Sequence, residues 1–131
     1  MKRQKYLFRA KYIDSNEWVY GGGVWQFERA CAMICEDHHG EIVIKPVQPE
    51  TVGMFSGLKD NCRHKIFEGD IVQGPLGSIF EVIFSDGCFS LIDHKSNPVK
   101  IQPFKNDKCQ FEIIGNTTEN PYLLEAIECQ S

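Results

Sequence analysis

The chain contains 131 residues, which is the size of one ordinary protein domain. Hydrophobic residues make up 42% and charged residues 24% of the chain, a composition that excludes a disordered tail and a fibrous repeat. The formal net charge of −4 argues against a nucleic-acid binder with a basic surface throughout. The sequence therefore predicts one packed domain over residues 1–131.

The sequence indicates a cytoplasmic protein. No apolar run approaches the ~20 residues of a membrane span, and the opening MKRQKYLFRAKY lacks the apolar segment of a signal peptide. Because cytoplasmic thiols are kept reduced, we expect the six cysteines to be free thiols. We expect no cofactor and no membrane contact.

Alternating side chains dominate the start of the chain. Apolar and basic residues alternate over residues 5–13, which predicts a half-buried strand. A polar turn at 14–16 and a second strand at 18–20 are expected next, before three glycines at 21–23 bend the chain.

Residues 31–47 are expected to form a β-hairpin. Gly40 supplies the turn, and the β-branched segment after it supplies the second strand. A short helix is the alternative for residues 27–36. The residues that would share one face of that helix are Phe27, Ala30, Cys31 and Ile34.

The middle of the chain predicts a strand meander. One helical turn near Glu50 is expected first. Residues 69–93 then read as three antiparallel strands, because Asp86-Gly87 between two apolar runs is a strong hairpin signal. Such a meander needs a second layer or a closed barrel to cover its apolar face.

The end of the chain predicts two further strands and a helix. Residues 99–104 and 109–114 read as an extended pair. Asn120 is expected to cap the terminal helix, and Pro121 to occupy its first position. The apolar face of that helix is Tyr122, Leu123, Leu124 and Ile127.

These elements predict a mainly β fold. The architecture expected is a partly open barrel or two packed antiparallel sheets, with an SH3-like strand meander and a short C-terminal helix. No internal repeat or linker divides the chain.

Four residues are the main candidate metal ligands, namely Cys31, Cys35, His38 and His39. On a strand, the two cysteines would share a face but lie about 13 Å apart at ~3.3 Å per residue, too far to bind one ion. Only the helical alternative unites them. We therefore expect no metal site.

Two further groups of residues are candidates for catalysis. Cys62-Arg63-His64 places a thiol beside a cation and an imidazole, a setting that lowers the pKa of a thiol. Glu68 and Asp70 share one strand face, as an acid/base pair would. Asp70 has a structural interpretation as well, since an aspartate beside a glycine bend bonds neighbouring amides. We assign no catalytic residue.

The first strand also offers a nucleic-acid interface, because barrels often present aromatic and basic residues together on one sheet. Here strand alternation puts the two kinds of side chain on opposite faces, so that they cannot act jointly. The aromatic residues are Tyr6, Phe8 and Tyr12, and the basic residues are Lys5, Arg9 and Lys11.

Several ordered blocks resemble the YopX family of small phage and prophage proteins. They are Phe8-Arg9-Ala10, WVYGG, TVGMFSGLKD, EGDIV and the closing IGNTTENPYLL. The resemblance implies a β-rich, barrel-forming protein with helical decoration and a domain of unknown function, and it supplies no catalytic residue. Residues 61–64 depart from the Lys-Asn-Gly type of turn that is usual there.

The function expected from the sequence is that of a non-enzymatic phage or prophage accessory protein that binds another macromolecule. A protein partner is preferred, and a homo-oligomer is compatible with it. One alternative is a nucleic-acid-binding barrel that uses the basic N-terminal strand. The third hypothesis is a small enzyme that uses Cys62 or the pair Glu68 and Asp70.

Overall fold

The structure is a computed structural model that describes residues 7–95, 100–104 and 110–125. Nearly all of its regular structure is β-strand. The strands are β1 Phe8–Lys11, β2 Trp18–Gly21, β3 Gly23–Phe27, β4 Ala30–Glu36, β5 Ile42–Val47, β6 Gly53–Lys59, β7 Lys65–Phe67, β8 Asp70–Gln73, β9 Ile79–Ser85, β10 Cys88–Asp93, β11 Lys100–Pro103 and β12 Glu112–Asn116.

The chain divides into two compact units, residues 1–55 and residues 56–131. The strands form three antiparallel sheets, with the orders β2-β1-β6-β7, β3-β4-β5 and β11-β10-β9-β8-β12. The division falls within β6, whose first residues pair with β1 in the first unit. The prediction of one domain over 1–131 stays a prediction.

The first unit has a core of its own. Ala10, Cys31, Met33, Cys35 and Val47 are its buried apolar residues. The predicted turn near Glu50 is the 3-10 turn Pro49–Thr51. The predicted glycine bend joins β2 to β3 with a close approach, since a Cβ atom on Gly21 would overlap the carbonyl oxygen of Ile34.

Residues 27–36 are not helical, so the helical alternative is wrong. Strand β3 ends at Phe27, residues 28 and 29 form a turn, and β4 begins at Ala30. Cys31, Met33 and Cys35 point into the core, so the buried positions of β4 alternate with a period of two. The predicted hairpin with β5 is confirmed. Its turn is closed by Asp37, whose Oδ1 accepts the N–H groups of His39 and Glu41 at 2.8 and 2.9 Å.

The second unit contains the predicted meander. Strands β8, β9 and β10 are consecutive antiparallel neighbours, as expected for residues 69–93. Asp86 and Gly87 have φ values of 52° and 83°, which is the type I′ geometry that suits a two-residue hairpin. A separate core lies within this unit and includes Ile66, Val72 and Val82.

The two later strands are predicted correctly as extended, but they do not pair with each other. Strand β11 pairs with β10 and β12 pairs with β8, so they lie at opposite edges of the five-stranded sheet. Their partners lie far away in sequence, and local patterns carry no information on that choice.

The predicted C-terminal helix is a single 3-10 turn, Pro121–Leu124. Asn120 lies at the predicted N-cap position and Pro121 follows it as predicted, but the Asn120 side chain makes no capping hydrogen bond. Its Oδ1 instead accepts the N–H of Asn116 at 3.2 Å. Ile127 lies outside the described residues.

The fold class expected from the sequence is confirmed as mainly β, with antiparallel sheets and a small C-terminal turn. None of the sheets formed by the described residues closes into a barrel. Within the same residues, no helix is long and apolar enough to cross a membrane.

Candidate functional site

The four cysteine and histidine residues considered as metal ligands are not brought together. Cys31 and Cys35 are buried in the core of the first unit, whereas His38 and His39 are exposed in the hairpin turn, with ring centroids 4.5 Å apart. Burial raises the pKa of the Cys35 thiol, and the nearby charge of Lys45 offsets this only in part. A neutral, buried thiol is a poor metal ligand.

A different group approaches the spacing of a metal site. Within the described residues, ligand atoms of Asp60, Cys62 and His64 all lie within 4.8 Å of one another. The sequence pointed to Cys62 and His64 but not to Asp60. The signal that could have found it is the alternation Asp-x-Cys-x-His over residues 60–64.

Asp60 is first of all a structural residue. It is 1% exposed, and its Oδ1 accepts the N–H groups of Cys62 and His64 at 2.9 and 2.8 Å. Its Oδ2 accepts the N–H of Ile113 at 3.1 Å and lies 3.6 Å from His64 Nδ1. These bonds hold the loop between β6 and β7 against β12.

The same contacts set the ionisation of Asp60. Burial alone raises the pKa of this carboxyl, but the N–H donors of His64, Ile113 and Cys62 outweigh it and lower the pKa below its usual value. The His64 ring adds to the lowering. The carboxylate is therefore charged at neutral pH, with its oxygens already engaged by the backbone.

In the described part of the basic strand, the cations are buried against an aromatic ring. Arg9 and Lys11 are each only 8% exposed. Their charged groups lie 4.5 and 4.6 Å from the centre of the Trp18 ring, and Lys11 Nζ donates to the Asn16 carbonyl at 2.9 Å. Lys5 and Tyr6 lie outside the described residues. The burial of both cations argues against the phosphate-binding hypothesis for this strand.

The sheet β3-β4-β5 has an apolar surface on the side away from its core. Cross-strand register places Trp25, Ala32 and Pro46 in one row, with further apolar rows on either side. We call this surface the outward face. Its apolar residues are Trp25, Phe27, Ala30, Ala32, Ile34, Ile42, Ile44 and Pro46, and the exposed Glu36 lies at its edge, opposite Ile42.

The outward face is more apolar than a solvated sheet face should be. Phe27 is 65% exposed and Ile42 is 68% exposed. An antiparallel sheet with one side in water normally alternates apolar and polar residues, whereas β4 is apolar on both sides up to Glu36. Sequence analysis missed the face, although the apolar run Ile42-Val43-Ile44 was its signal.

A groove runs along the outward face. The small side chains of Ala30 and Ala32 form its floor between the larger residues of β3 and β5, and its volume is about 320 Å³. A second concavity of about 610 Å³ lies by the glycine bend and shares Ile34 and Ile42 with the outward face. The groove over the two alanines is the apolar one of the two and suits side chains of a partner.

Comparison with known proteins gives the family. The sequence profile described as YopX protein matches residues 7–125, which is most of the chain. The chain belongs to the YopX family. No curated protein matches the sequence. The predicted resemblance is thereby confirmed, and the domain remains one of unknown function.

The blocks that carry the YopX resemblance contain buried polar residues that bind the backbone. Asp70, in EGDIV, is 1% exposed, and its Oδ2 accepts the N–H of Phe67 at 2.8 Å. It closes the bend at Gly69, whose φ is 94°. The EGDIV aspartate thus has a structural role, and the acid/base pair Glu68 and Asp70 stays an untested hypothesis.

The closing block IGNTTENP is organised in the same way. Asn116 Oδ1 accepts the N–H groups of Thr118 and Glu119 at 3.1 and 2.8 Å, and Asn116 Nδ2 donates to Glu119 Oε1 at 3.1 Å. A Cβ atom on Gly115 would lie 2.7 Å from Asn120 Oδ1, so a larger residue there would displace the Asn120 side chain. These motifs of the YopX chain build turns.

Proposed function

We propose that this YopX-family protein is a non-enzymatic protein-binding module, and that the outward face of β3-β4-β5 is its docking surface. The observation that carries the proposal is the exposure of Trp25, Phe27, Ile42 and Ile44, which lie on one sheet surface whose only charged residue, among those described, is Glu36 at its edge. Large exposed apolar patches are typical of protein interfaces, especially when aromatic residues lie at their centre.

We also propose a class and a compartment for the protein, namely a phage or prophage accessory protein of the cytoplasm. The YopX resemblance favours a phage or prophage accessory protein. The free, buried thiols of Cys31 and Cys35 suit a reducing compartment.

A protein partner fits better than a nucleic acid or a substrate. Nucleic-acid binding depends on cations that reach phosphates, and Arg9 and Lys11 are buried against Trp18. Catalysis by a carboxylate needs free oxygens, and those of Asp60 accept backbone N–H groups.

Affinity capture from host lysate, with and without nuclease, tests the proposal. Ile44→Lys places a charge on the outward face, where Ile44 is 56% exposed. Ile101→Lys is its matched control, since Ile101 is 60% exposed on β11, which belongs to a different sheet. We expect a captured protein that survives nuclease, is lost with Ile44→Lys and is retained with Ile101→Lys.

Two results would contradict the proposal. One is capture that nuclease abolishes, together with saturable DNA or RNA binding that weakens steeply with salt. The other is equal capture by both lysine variants, with both folded as judged by their unfolding midpoints.

A further inference from the structure

We propose that a second copy of this chain covers the outward face, so that two β3-β4-β5 sheets pack face to face in a two-fold dimer. The inference rests on the proposed function, because it names the partner of the same surface. Packing of one apolar sheet face on another is the usual way to build a two-layer β structure, with the layers about 10 Å apart.

The area of the outward face is sufficient for such a dimer. Its four largest side chains are 56–68% exposed, which corresponds to about 500 Å² per copy if a full side chain offers roughly 150–250 Å². Two copies would bury about 1,000 Å² from these four residues alone. A specific interface needs about that area, and the smaller residues of the face add to it.

The charge distribution makes the outward face the place where two copies of the chain can meet with little repulsion. The chain carries a net charge of −4, so two copies repel each other over most of their surface. The rows of the outward face from Gly23 to Phe27 carry no charged side chain on that side. Contact there brings two like-charged chains together without burying a charge, whose burial unpaired is strongly unfavourable.

The charges at the two ends of the sheet select the orientation. The β4–β5 turn end carries Glu36, Asp37 and Glu41, whereas the β3–β4 turn end carries Glu28 with Arg29. A two-fold axis lying across the strands places unlike ends together. An axis along the strands would place two acidic ends together, which is unfavourable at low salt.

Shape supports the same arrangement. The alanines of β4 leave a trough between the larger residues of β3 and β5. In a two-fold dimer each copy offers both a trough and the aromatic side chains of β3 that can fill it. Such an interface is self-complementary and closes with two copies, rather than growing into a fibre.

Sedimentation equilibrium of the purified full chain over roughly 1–200 μM tests the dimer. We expect twice the monomer mass at the upper concentrations. Ile44→Lys should raise the dissociation constant of the dimer at least about 30-fold, as for loss of a central interface residue. Ile101→Lys should leave it unchanged within about twofold.

A second variant covers the case in which Ile44→Lys does not fold. Phe27→Ser changes a residue that is 65% exposed and should also give monomer, while Leu76→Ser, at a residue 103% exposed elsewhere, should not. A wild-type chain that stays monomeric throughout, or a dimer unaffected by the outward-face variants, would overturn the inference. If the chain is monomeric but Ile44→Lys still abolishes capture of another protein, the proposed function stands and the dimer fails.

Discussion

Leu76 has a backbone conformation that does not suit its side chain. It is 103% exposed, and its φ and ψ of 68° and 13° lie in the left-handed region. A side chain with a Cβ atom costs about 1–2 kcal/mol there, and Leu76 gains no burial in return. Asparagine tolerates this region because its short polar side chain bonds locally.

Leu76→Asn should therefore raise the free energy of unfolding by about 0.5–1 kcal/mol, measured by urea denaturation. Leu76→Ala is the control, because it removes the exposed apolar side chain but keeps the Cβ atom. If Leu76→Ala stabilised the protein as much as Leu76→Asn, exposure and not backbone strain would be the cause.

At the scale of elements, polar residues attach loops to strands. Asp60 lies at the end of β6 and accepts the N–H of Ile113 on β12, so one carboxylate joins a loop to a strand 53 residues later. Asn116 and Asp70 order turns in the same unit. Hydrogen bonds to a charged acceptor contribute about 1.5–3 kcal/mol each, and their loss leaves buried N–H groups unsatisfied.

Asp60→Asn should lower the free energy of unfolding by about 2 kcal/mol at pH 7. Since the folded-state pKa of Asp60 lies below its unfolded value, its contribution is present above the unfolded value of about 3.9 and is lost as pH falls through the folded pKa. Urea midpoints between pH 7 and 2.5 should show a steeper acid loss for wild type than for Asp60→Asn.

Glu112→Gln is the control for that comparison, because Glu112 is an exposed carboxylate next to Ile113. Its acid profile should follow that of the wild type. Identical acid profiles for Asp60→Asn and the wild type would show that the backbone bonds of Asp60 contribute no pH-dependent stability.

The sequence predicted elements whose signals are local. Asp86-Gly87 gave the hairpin correctly, because two adjacent residues determine a type I′ turn. The position of Asn120 before the last turn was predicted correctly, but its side-chain oxygen accepts the Asn116 N–H instead of capping the turn. The partners of β11 and β12 depend on contacts distant in sequence, which no local pattern encodes.

The candidate site was predicted less well than the fold. Strand alternation predicts which residues share a face of β4, but it does not show what the second face contacts. In the structure its neighbours are Trp25 and Ile44, so that three strands together make an apolar surface that none of them makes alone. A docking surface of this kind depends on register across strands.

At the scale of the whole molecule, a net charge of −4 and an outward face that is apolar apart from Glu36 at its edge argue for apolar association with a protein. Hydrogen–deuterium exchange with and without the bound partner, a second copy included, tests this claim most directly. We predict added amide protection concentrated in residues 23–47, which contain β3, β4 and β5. Protection confined to residues 70–93, or no change on binding, would contradict the account.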